Sequence, residues 1–305
     1  MSIAPLGVAR DERAVRLTGI ALMLGGVGLF SFNDALGKYL VGTYSVGQLM
    51  LFRALVALVL IAPFIWRFRA EFRAIPRPGL QLLRVTLSAG EVAAFFAATV
   101  YLPLADVITF YLAAPIFVTA MSAVFLGEQV GWRRWSAVAV GFCGVLIALN
   151  PSAQTMTGWA LVALAGSFAF AVLMVVTRFL RGTSDTMLAS TQFGSSLLLG
   201  AALAPFGWVT PAPADLGLFV IAAVISLVAL LAVNRSLKLA PASIVVPYQY
   251  TMIIWAGLFG FLVFGDVPSI NIIIGSAVIV GAGLYIFLRE RKHGSDDARV
   301  APPPA

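Results

Sequence analysis

Apolar stretches of about twenty residues recur along the whole chain, each long enough to cross a ~30 Å hydrocarbon core as a helix. They cover 17–41, 45–66, 80–101, 103–126, 132–149, 157–180, 186–208, 214–237, 241–264 and 268–288. Within each stretch the apolar residues run continuously rather than alternating. That excludes a transmembrane barrel and leaves helices as the way to satisfy the backbone in lipid. The pattern predicts an all-α integral membrane protein with ten transmembrane helices.

The polar connections predict its orientation. Basic residues occupy the N-terminal segment (Arg10, Arg13, Arg16) and then every second connection. These hold Arg67, Arg69, Arg73 and Arg77, then Arg133 and Arg134, then Arg178 and Arg181, then Arg235 and Lys238, and last Arg289, Arg291, Lys292 and Arg299. The alternate connections, around Gly42, Leu102, Pro151, Pro211 and Gly265, carry almost none. Basic flanks stay cytoplasmic during insertion, so both termini are expected on the cytoplasmic face of a plasma (inner) membrane. Residues 1–16 read as a polar cytoplasmic tail with no cleavable leader. Residues 289–305, with Asp296, Asp297 and a run of prolines, read as a disordered cytoplasmic tail.

Similarity at an offset of about 138 residues divides the chain in two. Thr18-Gly19-Ile20-Ala21-Leu22 recurs as Thr157-Gly158-Trp159-Ala160-Leu161, Pro103 matches Pro241, and Gly127-Glu128 matches Gly265-Asp266. Each unit, 17–149 and 157–288, holds five spans, and an odd number turns the second unit upside down relative to the first. Inverted repeats place a solute site near mid-membrane at the repeat interface.

Composition narrows the chemistry. The chain is 61% hydrophobic and 11% charged, with mean hydropathy +0.98, which excludes a water-soluble domain. The net charge of +7 lies on short loops, where it meets anionic lipid headgroups rather than nucleic acid. One cysteine, Cys143, and one histidine, His293, allow no internal disulfide and no Cys/His metal site, so no metal or cofactor is expected. Without a membrane histidine or paired mid-membrane aspartates, an intramembrane enzyme is not expected. No Walker-type phosphate loop is present either.

Several short motifs carry a family resemblance. They are Phe32-Asn33-Asp34-Ala35-Leu36-Gly37-Lys38, Arg53-Ala54, Ala114-Pro115-Ile116-Phe117, Phe125-Leu126-Gly127-Glu128 and its echo Phe264-Gly265-Asp266. On these residues the chain resembles the drug/metabolite transporter superfamily across 17–288, specifically EamA-type members with ten helices in a five-plus-five repeat. Within that family it is most similar to YddG-type exporters, which handle aromatic amino acids. The resemblance implies secondary, ATP-independent export of small organic metabolites, foremost amino acids including aromatic ones, by alternating access. Broad drug or metabolite efflux and uptake of nucleoside-like metabolites are the alternatives; a non-transporting membrane protein is the alternative of another class. The expected partners are a small-molecule solute and membrane lipid, with the chain acting as a monomer.

Ionisable groups in a membrane mark candidate functional positions. Glu91 lies about 15 Å deep in the third span, on a face it shares with Arg84, Ser88 and Phe95. It either binds a solute amine, carries a coupling proton, or pairs with Arg84 or another neighbour. Asp34 and Lys38, at i and i+4 with the acid first, form an intrahelical pair or take part in gating, with Asn33 beside them. Arg53 snorkels, pairs with Asp34 or Glu91, or meets a solute carboxylate; the family resemblance implies a scaffold role for it. Pro115 and Pro247 kink the fourth and ninth spans as hinges or as static bends. Tyr111, Ser167, Phe170, Gln192, Ser195, Ser196, Tyr248, Gln249 and Trp255 complete the predicted cavity. Aromatic faces with a few amides and hydroxyls suit amphipathic solutes, including zwitterions, and not bare metal ions.

Overall fold

The computed structural model describes residues 6–73, 75–127, 131–149 and 157–265, with helical residues described in part between 270 and 285. The helices are α1 (Leu6–Val41), α2 (Val46–Arg67), α3 (Pro78–Tyr101), α4 (Leu104–Tyr111), α5 (Ala114–Phe125), α6 (Trp132–Leu149), α7 (Gly158–Phe179), α8 (Asp185–Leu203), α9 (Pro213–Leu239), α10 (Ala242–Val245) and α11 (Met252–Phe264). A 3₁₀ turn over Val246–Thr251 joins α10 to α11. Among the described residues there is no strand, and seven segments are long and apolar enough to cross a membrane. Glu128, Asp266 and the C-terminal segment 289–305 lie outside the described residues.

Local chemistry sets most helix ends. Ser45 opens α2 with a reciprocal capping box to Gln48, while Thr157 and Ser184 cap α7 and α8 by accepting from Ala160 N and Met187 N. α3 ends at extended Leu102 (φ −117, ψ 150), and Pro103 (φ −54, ψ 145) opens α4. α9 ends at extended Ala240 (φ −135, ψ 156), and Pro241 (φ −54, ψ 138) opens α10. A proline biases its predecessor away from the helical region, so both joins bend the same way. A cation near the end of the first helix of each half also ties down the end of the third. Lys38 Nζ donates to Leu102 O at 3.2 Å, and Arg178 Nη1 donates to Leu237 O at 2.7 Å and Lys238 O at 3.1 Å.

Three features differ from the sequence expectations. The polar segment ahead of residue 17 is helical from Leu6. The fourth span is interrupted at Leu112–Ala113, so Pro115 falls in the first turn of α5 rather than mid-helix; its missing N–H is harmless there. The ninth span breaks into α10, the 3₁₀ turn with Pro247 near its start, and α11.

Three helix pairings dominate the packing, α1 on α9, α2 on α8 and α3 on α7. All are antiparallel. Gly19 faces Ala240 whereas Gly26 faces Val233 and Ala229. Gly47 meets Leu203 and Ala204 whereas Gly200 meets Met50 and Leu51. Along α3, Gln81 meets Thr183, Arg84 meets Thr177 and Tyr101 stacks on Trp159 with centroids 4.1 Å apart. Glycine permits the tightest of these contacts. A Cβ on Gly47 would lie 2.5 Å from Ala204 N, and one on Gly200 would lie 2.6 Å from Leu51 N. The outward faces expose Val59, Phe64, Trp66, Leu161, Leu198 and Leu262, an apolar surface suited to acyl chains.

At one end of the bundle the α1–α2 loop is tied to the α8–α9 loop. Gln48 donates to Val209 O at 2.6 Å and accepts from Val209 N at 3.0 Å. The Tyr44 hydroxyl donates to Asp215 Oδ2 at 2.6 Å and accepts from Ala212 N at 3.2 Å. The hydrogen bond to Asp215 raises the Tyr44 pKa above its ordinary 10.0. A raised acid contributes stability that is complete below its unfolded pKa and is lost as pH climbs through the folded one. Tyr44→Phe is therefore expected to lower the melting temperature at neutral pH, with the gap to wild type closing above about pH 10. Thermal unfolding of both proteins across that range checks this, and a gap independent of pH would assign the loss to packing instead.

Candidate functional site

α1, α2, α3, α4, α7, α8, α9 and α11 and the 3₁₀ turn surround a cavity of about 100 Å³. Pockets that enclose drug-sized ligands hold ~300–1,000 Å³, so this cavity is small by comparison. Both halves of the chain contribute walls, but not alike. Asp34, Arg53, Arg84 and Glu91, the ionisable lining residues apart from Tyr111, come from α1 to α3. The second half supplies neutral polar groups, Thr177, Gln192, Ser196, Ser226, Asn234 and Gln249. Phe30, Phe95, Phe96, Tyr111 and Phe170 add aromatic surface.

Arg84 is fully buried and spans from α3 to α7 and α8. Its Nε donates to Thr177 Oγ1 at 3.1 Å, Nη1 to Leu188 O at 2.9 Å and Nη2 to Gln192 Oε1 at 2.6 Å. Those bonds occupy the guanidinium with neutral acceptors and fix Gln192 in the wall. Arg53 is held more loosely. Its guanidinium carbon lies 5.2 Å from the centroid of the Phe96 ring. With the Asn33 amide turned to satisfy both neighbours, its oxygen accepts from Arg53 Nη1 at 3.2 Å and its nitrogen donates to Ala222 O at 3.1 Å. Among the described residues Arg53 Nε has no protein partner. Arg53 lies within electrostatic reach of Asp34 and Glu91. Among the described residues, though, neither carboxylate closes an ion pair on Arg53 or Arg84.

Two anticipated pairings are therefore not formed. Glu91 does not pair with Arg84, whose Nε, Nη1 and Nη2 each donate to a neutral acceptor. Asp34 does not pair with Lys38, because Lys38 reaches along the helix end to Leu102 O and lies 5.8 Å from the Phe264 centroid. Asp34 stays at the cavity and Lys38 does not line it.

Of the other anticipated residues, Asn33, Phe95, Tyr111, Gln192 and Gln249 line the cavity. Tyr111 is fixed by its hydroxyl, which donates to the main-chain oxygen of Glu91 at 3.1 Å, and by an edge-on contact with Phe95 at 5.0 Å. Gly166 makes room for it, since a Cβ there would clash with the hydroxyl at 2.2 Å. Ser167 sits behind that wall, its Oγ 3.5 Å from Tyr111 O. Tyr248 and Trp255 lie outside the lining; Trp255 packs over Gly28 and stacks on Phe259 with centroids 6.1 Å apart. Pro115 and Pro247 also stand off the lining, at the breaks in their spans.

Sequence reasoning passed over Ser226 and Asn234. Their signal was present: Ser226, Leu230 and Asn234 follow at i, i+4 and i+8 along α9, and Ser226 is a polar residue within its apolar stretch 216–233. The cavity keeps several buried polar atoms without a partner among the described residues, namely Arg53 Nε, Ser196 Oγ, Asn234 Nδ2 and Gln249 Oε1. Leaving a buried polar group unsatisfied costs about 1–3 kcal/mol, so a wall that retains several is suited to a polar guest.

An all-helical bundle with apolar outer faces and a charged, aromatic-lined interior cavity is the architecture of a membrane transport protein. The chain matches the EamA-like transporter family twice, over residues 17–150 and 157–288, and it belongs to that family as a multi-pass membrane transporter. It is 23% identical over 286 residues to an S-adenosylmethionine uptake transporter of Rickettsia felis, covering 92% of this chain and 96% of the relative. It is 29% identical over 238 residues to a riboflavin transporter of Rhizobium johnstonii (75% and 77% covered). A pseudopaline exporter of Pseudomonas aeruginosa is 28% identical over 272 residues (87% and 94% covered). A protein of known crystal structure superposes with a TM-score of 0.73 at 18% identity, covering 92% of this chain and 98% of that one, a likeness of fold alone. None of the relatives named here is an amino acid exporter, and they include carriers named for uptake and for export.

Proposed function

We propose that the chain is a secondary carrier that moves amphoteric organic metabolites across the inner membrane by alternating access through the central cavity. The observation that carries this is the set Asp34, Arg53 and Glu91, ionisable side chains facing one cavity without closing on each other. In this account Arg53 meets a solute carboxylate, Asp34 meets its ammonium group, and the aromatic residues hold the apolar body. Aromatic amino acids are one such class. Larger metabolites that carry an amino-acid moiety are another, and the naming of a relative for S-adenosylmethionine favours including them.

We infer a matching architecture of ten crossings, built as inverted five-helix repeats over 17–149 and 157–288, with both termini cytoplasmic and the chain acting as a monomer. The paired family matches support it. So does the packing: under the repeat offset the α1–α9 contact exchanges with α7–α3, and α2–α8 maps onto itself. The equivalent joins at Pro103 and Pro241 point the same way. Direction then follows the prevailing gradient, because a reversible carrier is not polarised by its site.

Glu91 is the candidate for a coupling proton. Glu91→Gln is expected to abolish pH-driven accumulation while leaving counterflow exchange intact, and unchanged pH dependence would reject the assignment. The wider proposal is tested with purified protein in liposomes and a labelled panel of aromatic amino acids, S-adenosylmethionine, nucleosides and cationic dyes. Saturable counterflow of an amphoteric solute is the expected result; flux of none, or of the dyes alone, overturns it.

A further inference from the structure

The two walls of the cavity differ in a way that bears on what enters it. Ionisable groups are concentrated on the α1–α3 side, whereas α8, α9 and the 3₁₀ turn offer hydrogen-bonding groups that carry no charge. Asn234 and Gln249 are each 2% exposed and Ser196 is 5% exposed. Among the described residues, Asn234 Nδ2, a donor, and Gln249 Oε1, an acceptor, both lack a protein partner, as does the Ser196 hydroxyl, which can act as either. Among the described residues the other end of the Gln249 amide reaches only Met174 Sδ, at 3.9 Å, a weak acceptor. The break in the ninth span sets Gln249 at the cavity, on the 3₁₀ turn that begins beside Pro247. Phe30, Phe95, Phe96 and Phe170 line the same space with flat apolar faces.

We propose that Asn234, Gln249 and Ser196 form a specificity subsite for a planar group with a donor–acceptor edge, an amide or a nitrogen heterocycle, joined to the amphoteric part of the solute. This rests on the carrier proposed above and narrows its substrate class. A solute with only an alkyl or phenyl side chain leaves the donor and the acceptor unmet. A nitrogen heterocycle satisfies both while its faces pack on phenylalanine. Sites built to hydrogen-bond a ligand group reject analogues lacking it far more strongly than apolar pockets reject a missing methylene. Neutral side chains also suit this role because they read the edge without adding to the charge already present.

The test uses the full chain in proteoliposomes and two probes that share a sulfonium and an α-amino acid: S-adenosylmethionine, whose sulfonium carries a ribose bearing a purine, and S-methylmethionine, whose sulfonium carries a methyl group in its place. Wild type is expected to exchange the purine-bearing probe preferentially. Asn234→Leu and Gln249→Met keep similar volumes and remove the hydrogen bonds. Each is expected to lower the ratio of the two fluxes at least tenfold, with S-methylmethionine exchange held within about twofold and the melting temperature little changed. Parallel loss of both fluxes indicates a structural role and overturns the subsite, as does an unchanged ratio or a wild-type preference for S-methylmethionine. Exchange of other amphoteric solutes but of neither probe also overturns it and leaves the carrier standing. Absence of exchange for every solute overturns the carrier itself.

Discussion

Arg53→Met is expected to reduce exchange of carboxylate-bearing solutes by about 10²–10³-fold while the protein remains folded. Charge-assisted hydrogen bonds between a buried guanidinium and a carboxylate are strong, and truncating one partner of such a pair costs 2–5 kcal/mol or more. Arg53 has the capacity for that role because its protein contacts are incomplete. It rests on the Phe96 ring, bonds one amide oxygen, and keeps Nε unpartnered. Methionine preserves the stem that packs beside Phe96, so the loss of folding stability should be small beside the loss of transport. Arg84 offers the contrast. It is equally buried, but its donors hold Thr177, Leu188 and Gln192 together, so its replacement should act mainly on stability. Flux and thermal unfolding measured on the same preparations separate the two. An Arg53→Met protein that exchanges carboxylate solutes at wild-type rates would remove Arg53 from the site.

Gly200→Ala is expected to destabilise the bundle severely. The added carbon would stand 2.6 Å from Leu51 N and 3.0 Å from Leu51 Cα, backbone atoms that cannot rotate away. α2 and α8 would have to separate, and Gly47 shows the same dependence on Leu203 and Ala204 at the neighbouring turn. Overpacking of this kind costs typically 1–3 kcal/mol and more where backbone must move. Gly194, on the same helix with nothing within 4 Å of its added carbon, is the control. Gly194→Ala should be neutral or slightly stabilising, since alanine is the better helix former. Melting temperatures in detergent decide it; equal values for the two variants would contradict the close packing of α2 on α8.

The helices were the most legible part of the chain, because a membrane span declares itself by length and continuity of apolar residues. The stretch 132–149 coincides with α6, and 45–66 differs from α2 by one residue at each end. The breaks were less legible. Proline marks a weak point in a helix, but neighbouring contacts choose where the chain yields, and so the fourth span opens at Leu112–Ala113, ahead of Pro115. Asp34, Arg53 and Glu91 stood out because charge is rare in lipid, and all three face the cavity. Their partners did not follow from spacing: Asp34 and Lys38 are suitably separated along α1, yet the end of α3 offers Lys38 an unpaired carbonyl at Leu102. Ser167, Tyr248 and Trp255 carry suitable chemistry on faces that packing turned away from the lining. Asn234 was missed because its line along α9 is marked by one other polar residue, Ser226 two turns earlier, and that pattern gains meaning once the opposite wall is known.

Alternating access to the cavity is most directly tested with a cysteine at Ser88, a buried lining residue on α3, after the exposed Cys143 has been changed to alanine. The measurement is the rate of labelling by a membrane-impermeant thiol reagent, applied from each face of sealed vesicles in turn, with and without a transported solute. We expect labelling from both faces, and slower labelling from both when solute is present. Labelling from one face alone, or rates indifferent to solute, would contradict a central cavity that opens to each side in turn.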